Sequence, residues 1–270
     1  MSPAWSQRRR NIIRSTWQKM YNNDAFTMRF VISNPGATWE KLVQHENETY
    51  GDLIIMSNLE ESRTVANTIK TMEFFSSLAH GTSTWKYVSK VDDDSFVNTE
   101  AFYQEYLEPR LDATRTIIAR SMKDSHRDYS YPQGQFYTVS WDMVLTLSEL
   151  YAQNHITDEH EDALVGRLLY EGGHHYDLIE VPNERFHDYG PDNKAWTYLD
   201  THAITNETIS PHLLKDDETY LEVARQMEEL KSQGKSVGAL IWMTAKKVKD
   251  THRKKITDLD TEFQTNSTTT

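Results

Sequence analysis

The sequence predicts an α/β fold: a largely parallel, mixed sheet flanked by helices. Three observations predict it. Short β-branched or aromatic runs alternate with stretches of helical period through the first two-thirds of the chain. The composition, 37% hydrophobic and 26% charged over 270 residues, is that of a folded chain able to bury a core. No apolar run approaches the ~18 residues that a membrane-spanning helix needs.

The elements follow in order. "FTMRFVIS" (Phe26 to Ser33) sets Met28, Phe30 and Ile32 on one face, which is strand period. "DLIIM" (Asp52 to Met56) is a short strand of buried type. From Glu60 to Ala79 the period becomes helical through Val65, Ile69, Met72 and Phe75, and Gly81 follows as a candidate cap. "KYVSKV" (Lys86 to Val91), "TIIA" (Thr116 to Ala119) and "QFYTVS" (Gln135 to Ser140) read as strands, the last running into a helix at "WDMVLTLSELYAQ". Asp216 and Asp217 open an amphipathic helix through Leu221, Ala224, Met227 and Leu230 that Gly234 ends. The final "DLDTEFQTNSTTT" reads as a frayed polar tail.

Charge and cysteine content narrow the function. The formal net charge is -12, a poor match to nucleic acid or anionic membrane, although Arg8, Arg9, Arg10 and Arg14 form a local basic cluster. The chain has no cysteine, which excludes disulfides, thiolate metal sites and cysteine nucleophiles. Sequons at Asn47, Asn206 and Asn266 weakly favour a secretory route.

Three constellations could carry chemistry. Asp92, Asp93 and Asp94 end the strand that closes with Lys90 and Val91, and Phe96-Val97 resumes apolar character at once. Clustered carboxylates there repel one another unless a cation satisfies them, and oxygen ligands select hard cations such as Mg²⁺, Mn²⁺ or Ca²⁺. A helix–loop–helix calcium loop fails, because Phe96 falls on a ligand position and Val97 on the turn glycine. The reading that remains is an Asp-x-Asp pair, Asp92 and Asp94, whose metal holds a diphosphate; in open α/β sheets ligands bind beyond the carboxyl ends of strands.

The second constellation is "DEHEDALVGRLL", with Glu161 and Asp162 before an apolar helical run. Acidic residues commonly open helices because the dipole favours them; the functional alternative is a carboxylate general base. The third is "RRRNIIRSTW", where Arg9, Arg10, Arg14 and Trp17 are either a surface helix start or cations and an aromatic beside an anionic nucleotide. Among the histidines, His187 and His212 sit in late irregular segments, and His212 gains interest if the aspartates' metal needs a nitrogen ligand.

Taken in order, "RRRNIIRSTW", "FVIS", "YGDLII", "KTMEFF", "KYVSKVDDDSFVN", "YPQGQFYTVSWDMV", "EDALVG" and "HLLKDDETY" resemble glycosyltransferase family 31, the fringe-like β-1,3-galactosyl- and N-acetylglucosaminyltransferases, with a fungal flavour in "YTVSWDMV". The resemblance spans about Arg9 to Ala224. It implies a GT-A fold built on a Rossmann-like nucleotide-binding sheet, with one domain over 8–232 and a C-terminal extension over 233–270. It implies a UDP-sugar donor, a glycan or glycoconjugate acceptor, Mn²⁺ or Mg²⁺, and inversion at the anomeric carbon. Carried over by position, Asp94 and His212 ligate the metal, Asp92 contacts the ribose or the metal, and Asp162 is the catalytic base. Arg10, Arg14 and Trp17 flank the nucleotide, and Gly134 lines the sugar site. Lys90, Asp93 and Glu161 count with the donor-binding residues, Asp93 in a structural hydrogen-bonding role.

The same resemblance implies a Golgi or secretory lumen, with any type II anchor outside this chain, which as given reads as soluble. The chain departs from the family at Ser33, where a glycine is usual, at Phe136, in "ESRTVANTIKT", and in its lack of cysteines. These departures bear on which sugar fits. The alternative from another class is a catalytically silent module that binds nucleotide sugar or glycan. A two-metal phosphate hydrolase lacks the further Asp and His ligands it would need.

Overall fold

The computed structural model describes residues 2–62, 64–124, 128–154, 156, 159–190 and 201–234. The chain divides into two compact units, Met1–Ala224 and Arg225–Thr270. Of the second unit only 225–234 is described, and it is helical. The expected polar tail and the sequon at Asn266 lie outside the described residues.

The first unit opens with helices α1 (Gln7–Ser15) and α2 (Trp17–Met20), strand β1 (Phe30–Asn34), helix α3 (Gly36–Tyr50) and strand β2 (Leu53–Glu60). A π-helical turn (Val65–Ile69) runs into α4 (Lys70–Ala79), and β3 (Tyr87–Val91) and α5 (Thr99–Phe102) follow. Then come β4 (Thr116–Lys123), β5 (Ser130–Ser140), α6 (Trp141–Gln153) and α7 (Glu161–Glu171). Strands β6 (Asp177–Glu180), β7 (Phe186–Tyr189), β8 (Thr201–His202) and β9 (Ser210–His212) lead to helix α8 over 217–234.

The fold class is α/β with mixed sheets flanked by helices, as the alternating pattern predicts. The strands lie in three sheets and not in one. β1 and β2 pair in parallel, β3-β5-β4-β6 form a four-stranded sheet, and β8-β7-β9 form a parallel three-stranded one. In the four-stranded sheet β5 runs antiparallel to both neighbours, and only β4 and β6 are parallel. β1 begins at Phe30, where its amide bonds the Asp52 carbonyl, so the apolar run from Phe26 starts the strand four residues late. Phe30, Val31 and Ile32 are all buried, as a parallel strand covered on both faces requires.

Helix α3 has no strong apolar period and escapes the sequence pattern; it buries only Val43 and Glu46. Its end is marked by Gly51 in the left-handed region (φ 63), with the Gly51 amide bonded to the Asn47 carbonyl. Gly81 does not cap α4 in that way, since its φ is not positive.

One core joins α4, α6 and α7 to the four-stranded sheet. Met72 and Phe75, Val144 and Leu147, and Leu164 and Leu168 pack with Val88, Ile117, Tyr137 and Val139. Successive residues of a strand face opposite ways. Tyr137 therefore faces the core and α7, while Phe136 turns to an aromatic stack with Phe102 (4.7 Å) and Phe186 (4.8 Å). The bulk that departs from the family pattern at Phe136 is thus absorbed by that stack.

α7 sits unusually close to β5. A Cβ on Gly166 would lie 2.6 Å from Tyr131 Cβ and 2.9 Å from the Ser130 carbonyl, so only glycine lets the helix approach. Gly166→Ala is expected to destabilise the fold by about 1–3 kcal/mol, the usual range for overpacking. A denaturant melt checks it. An unchanged midpoint would mean the helix can shift at no cost.

Candidate active site

The aspartate turn is anchored from both sides. The Asp92 amide bonds the Gln135 carbonyl of β5 (3.1 Å), and the Ser95 hydroxyl donates to the same carbonyl (3.0 Å). The Phe96 amide bonds the Pro211 carbonyl of β9 (3.0 Å), and the Leu214 amide bonds the Asp94 carbonyl (3.0 Å). These links bring His212 to the aspartates. One ligand atom each from Asp92, Asp94 and His212 lies within 4.8 Å of the others. Opposite ligands on bonds of about 2.0–2.1 Å lie about 4.2 Å apart, so small side-chain shifts would let two carboxylates and an imidazole at that spacing gather around a divalent ion.

His212 lies in a strand, not in an irregular segment. The parallel register of β7 and β9 sets Asp188 beside it. Asp188 Oδ1 lies 2.7 Å from His212 Nδ1, while Nε2 lies 3.4 Å from Asp94 Oδ1. A carboxylate on one ring nitrogen fixes the tautomer and turns the other nitrogen toward the metal position. Asp188 is 1% exposed, and no local sequence signal marks it. Lys215, equally unmarked in the sequence, pairs with Asp94 Oδ2.

Burial pushes the His212 imidazole down, but Asp188 and Asp94 outweigh it and raise its pKa to about 9. Burial would push Asp94 up, yet His212 and Lys215 hold its carboxyl well below the usual range. A histidine must be neutral to ligate. With a folded pKa of about 9, the proton competes with the metal below that pH. Apparent Mn²⁺ affinity is therefore expected to rise about tenfold per pH unit. Titrations at about pH 7, 7.75 and 8.5 check it, all below that pKa; a flat profile would take His212 out of the ligand set.

A second cluster adjoins the first through Lys90. Its ammonium lies 2.8 Å from Asp92 Oδ1 and 2.5 Å from Glu161 Oε1, and it donates to the Gly134 carbonyl. Tyr137 donates to Glu161 Oε2 (3.0 Å). Burial alone would depress the Lys90 ammonium, but Asp92 and Glu161 raise it above its ordinary value. Burial pushes the Glu161 carboxyl up, with Lys90 opposing.

Asp162 is half-buried at the first turn of α7, its Oδ1 accepting from the Ala163 amide (2.8 Å). A Cβ on Gly134 would sit 3.4 Å from Asp162 Oδ2, Glu161 Oε1 and Lys90 Nζ alike. The bare glycine thus keeps open the space that these three groups face.

The structure brings together Lys90, Asp92, Asp94, Gly134, Glu161, Asp162 and His212. Asp93 stands apart from the ligand trio. It is half-buried and hydrogen-bonds Ser2, and burial, with Asp94 and Asp92 adding repulsion, raises its pKa. Trp17 is buried and lines a cavity of about 410 Å³ that runs past Phe30 and β3 to Asp92 and Asp93.

Arg10 and Arg14 are corrections. The Arg10 side chain is fully buried and forks onto Glu46 (2.8 and 2.6 Å), donating also to the Pro3 and Ala4 carbonyls. Arg14 forks onto Asp52 (2.8 Å to each oxygen) and reaches Glu46 at 2.7 Å. A planar guanidinium matched to a carboxylate in this way is spent on the fold and is not offered to a nucleotide. These pairs clamp α1 to α3 and to the residue before β2.

The cavity past Trp17 reaches Lys90 and Asp92, one of the trio, and the class of protein to which this site belongs is set by the sequence. The sequence from residue 8 to residue 177, more than half the chain, matches the galactosyltransferase family model. The chain belongs to that family and is a hexosyltransferase. It is 25% identical over 266 aligned positions to the β-1,3-galactosyltransferase pvg3 of Schizosaccharomyces pombe, covering 75% of this chain and 68% of that one. Among solved structures, the galactosyltransferase LgtC with donor and acceptor sugar analogues covers 86% of this chain and 94% of its own, at 12% identity and a TM-score of 0.46. A glycosyltransferase involved in glycosylation of the major capsid of PBCV-1 covers 75% of this chain and all of its own, at 12% identity and a TM-score of 0.39. Those two likenesses are too distant to bear on the site.

Proposed function

We propose that the protein transfers a hexose, galactose first among the candidates, from a UDP-sugar to a glycan or glycoconjugate hydroxyl, with inversion, dependence on Mn²⁺ or Mg²⁺, and a β-1,3 linkage. The observation that carries this reading is Lys90. By pairing with both Asp92 and Glu161 it sets the metal-type carboxylates and Asp162 on two sides of one space. Asp92, Asp94 and His212 would hold the ion, which would supply charge to offset the departing diphosphate.

Asp162 takes the proton of the acceptor hydroxyl. The freed oxygen attacks the anomeric carbon from the face opposite the nucleotide, and the bond from that carbon to the diphosphate oxygen breaks with its electron pair leaving on UDP. One base on the acceptor side is what an inverting displacement needs. The linkage and sugar follow the fission-yeast relative's name. A Golgi or other secretory compartment follows from the family; among the described residues no helix is long and apolar enough to cross a membrane.

A panel of UDP-sugars with Mn²⁺ and simple glycoside acceptors, read by UDP release, tests the proposal. UDP-galactose is expected to give the fastest release. No turnover with any donor would leave the catalytically silent binding module in its place.

A further inference from the structure

The site has a charge imbalance that its metal trio does not settle. Two carboxylates and a neutral imidazole around a divalent ion sum to zero, so a diphosphate brought there adds uncompensated negative charge. Among the described residues most nearby cations are committed elsewhere. Arg8 and Arg9 reach Asp217, Arg10 and Arg14 are held by Glu46 and Asp52, and Lys90 is 5% exposed between Asp92 and Glu161. Lys215 differs from these in reaching the trio itself from the solvent side. Its ammonium touches Asp94 Oδ2, yet its side chain is 71% exposed.

The backbone that presents Lys215 is built for the purpose. Leu213 holds a left-handed conformation (φ 63) that a branched side chain rarely adopts. That turn lets His212 and Lys215, three residues apart, both reach Asp94. It is pinned at four points. The Leu214 amide bonds the Asp94 carbonyl, the Lys215 amide bonds the Leu213 carbonyl, Leu214 is fully buried, and Arg9 donates to the Lys215 carbonyl at 2.6 Å. Arg9 is held in turn over the Tyr220 ring, 4.9 Å from its centroid. Backbone held in so sparsely populated a conformation clusters at functional sites.

We propose that Lys215 binds the terminal phosphate of the donor's diphosphate and offsets the charge that grows on it as the sugar departs. The proposal rests on the UDP-sugar reading above. Lys215 then serves two anions in one place: the Asp94 carboxylate that faces the ion, and the phosphate the ion holds. A flexible, solvent-facing ammonium suits this role, because it can follow a leaving group that a buried one could not.

The test is calorimetric titration of UDP and of UMP, with Mn²⁺, into wild type, Lys215→Met and Lys215→Arg. Without the lysine's charge-assisted hydrogen bond to the terminal phosphate, Lys215→Met should bind UDP about ten- to a hundredfold more weakly. UMP, which lacks that phosphate, should bind the variant nearly as it binds wild type, and Lys215→Arg should restore most of the affinity. The melting midpoint of Lys215→Met should fall only slightly, since the lysine side chain is largely in solvent and Asp94 keeps His212 beside it. UDP binding to Lys215→Met as tight as to wild type overturns the assignment and leaves the donor reading intact. Equal weakening for UDP and UMP also overturns it. If wild type binds no UDP, the donor reading fails and the lysine's role falls with it.

Discussion

Replacing Asp162 by Asn is expected to lower kcat by about 10²–10⁴, the range a positioned general base contributes. The substitution keeps the shape of the side chain. An amide oxygen can still accept from the Ala163 amide, as Asp162 Oδ1 does at 2.8 Å. It still fits beside Gly134, whose lack of a Cβ leaves room for the outer oxygen. The loss is therefore chemical: an amide cannot take the proton from the acceptor hydroxyl. Donor KM should change little, because Asp162 is not among the three residues expected to hold the ion. A kcat loss with KM unchanged marks an interaction made only in the transition state. Steady-state kinetics with a saturating acceptor check it. A kcat within threefold of wild type would remove Asp162 from the chemistry.

The second large effect is expected at Asp94. Asp94→Ala removes one of three metal-type ligands and strips two cations of their partner, His212 and Lys215. Loss of an outer-sphere partner to a metal site costs about 10–100-fold in affinity, so loss of a direct ligand should cost at least that. Electron paramagnetic resonance of free Mn²⁺ measures it. Activity at ordinary Mn²⁺ should fall with it and recover in part at high Mn²⁺, which an Asp162 variant would not do. Mn²⁺ affinity equal to wild type would mean that the cation, if any, sits elsewhere.

Parts of this site are legible in the sequence. A β-branched strand that ends abruptly in three aspartates exposes its own anomaly, and β3 ends at Val91 where the pattern places it. Glu161 and Asp162 stand at a helix start because the apolar run behind them has helical period, and α7 begins at Glu161. His212 enters through the ordered set of motifs, since one histidine in "SPHLL" carries no local signal.

What escapes has a common cause. Asp188 matters only because β7 and β9 pair in a register that sets it against a residue 24 positions on, and no local spacing encodes that. Lys215 stands in a Lys-Asp-Asp run that reads as the charged lead-in to a helix. Its importance depends on the left-handed turn at Leu213, where the sequence offers no glycine to announce it. Arg10 and Arg14 read as nucleotide-binding cations because their true partners are invisible in the sequence. Glu46 sits in a helix without clear amphipathic period, and Asp52 lies 38 residues from Arg14. The break of the expected single sheet into three is likewise a matter of edges and register, which strand periodicity does not set.

The central claim is that Asp92, Asp94 and His212 bind a divalent ion that in turn binds the nucleotide, separately from the base at Asp162. Calorimetric titration of UDP into the Asp162→Asn variant, once with Mn²⁺ and once with EDTA, tests it most directly. The expected result is wild-type UDP affinity in Mn²⁺ and no detectable binding in EDTA. Equal UDP binding in both buffers would contradict it.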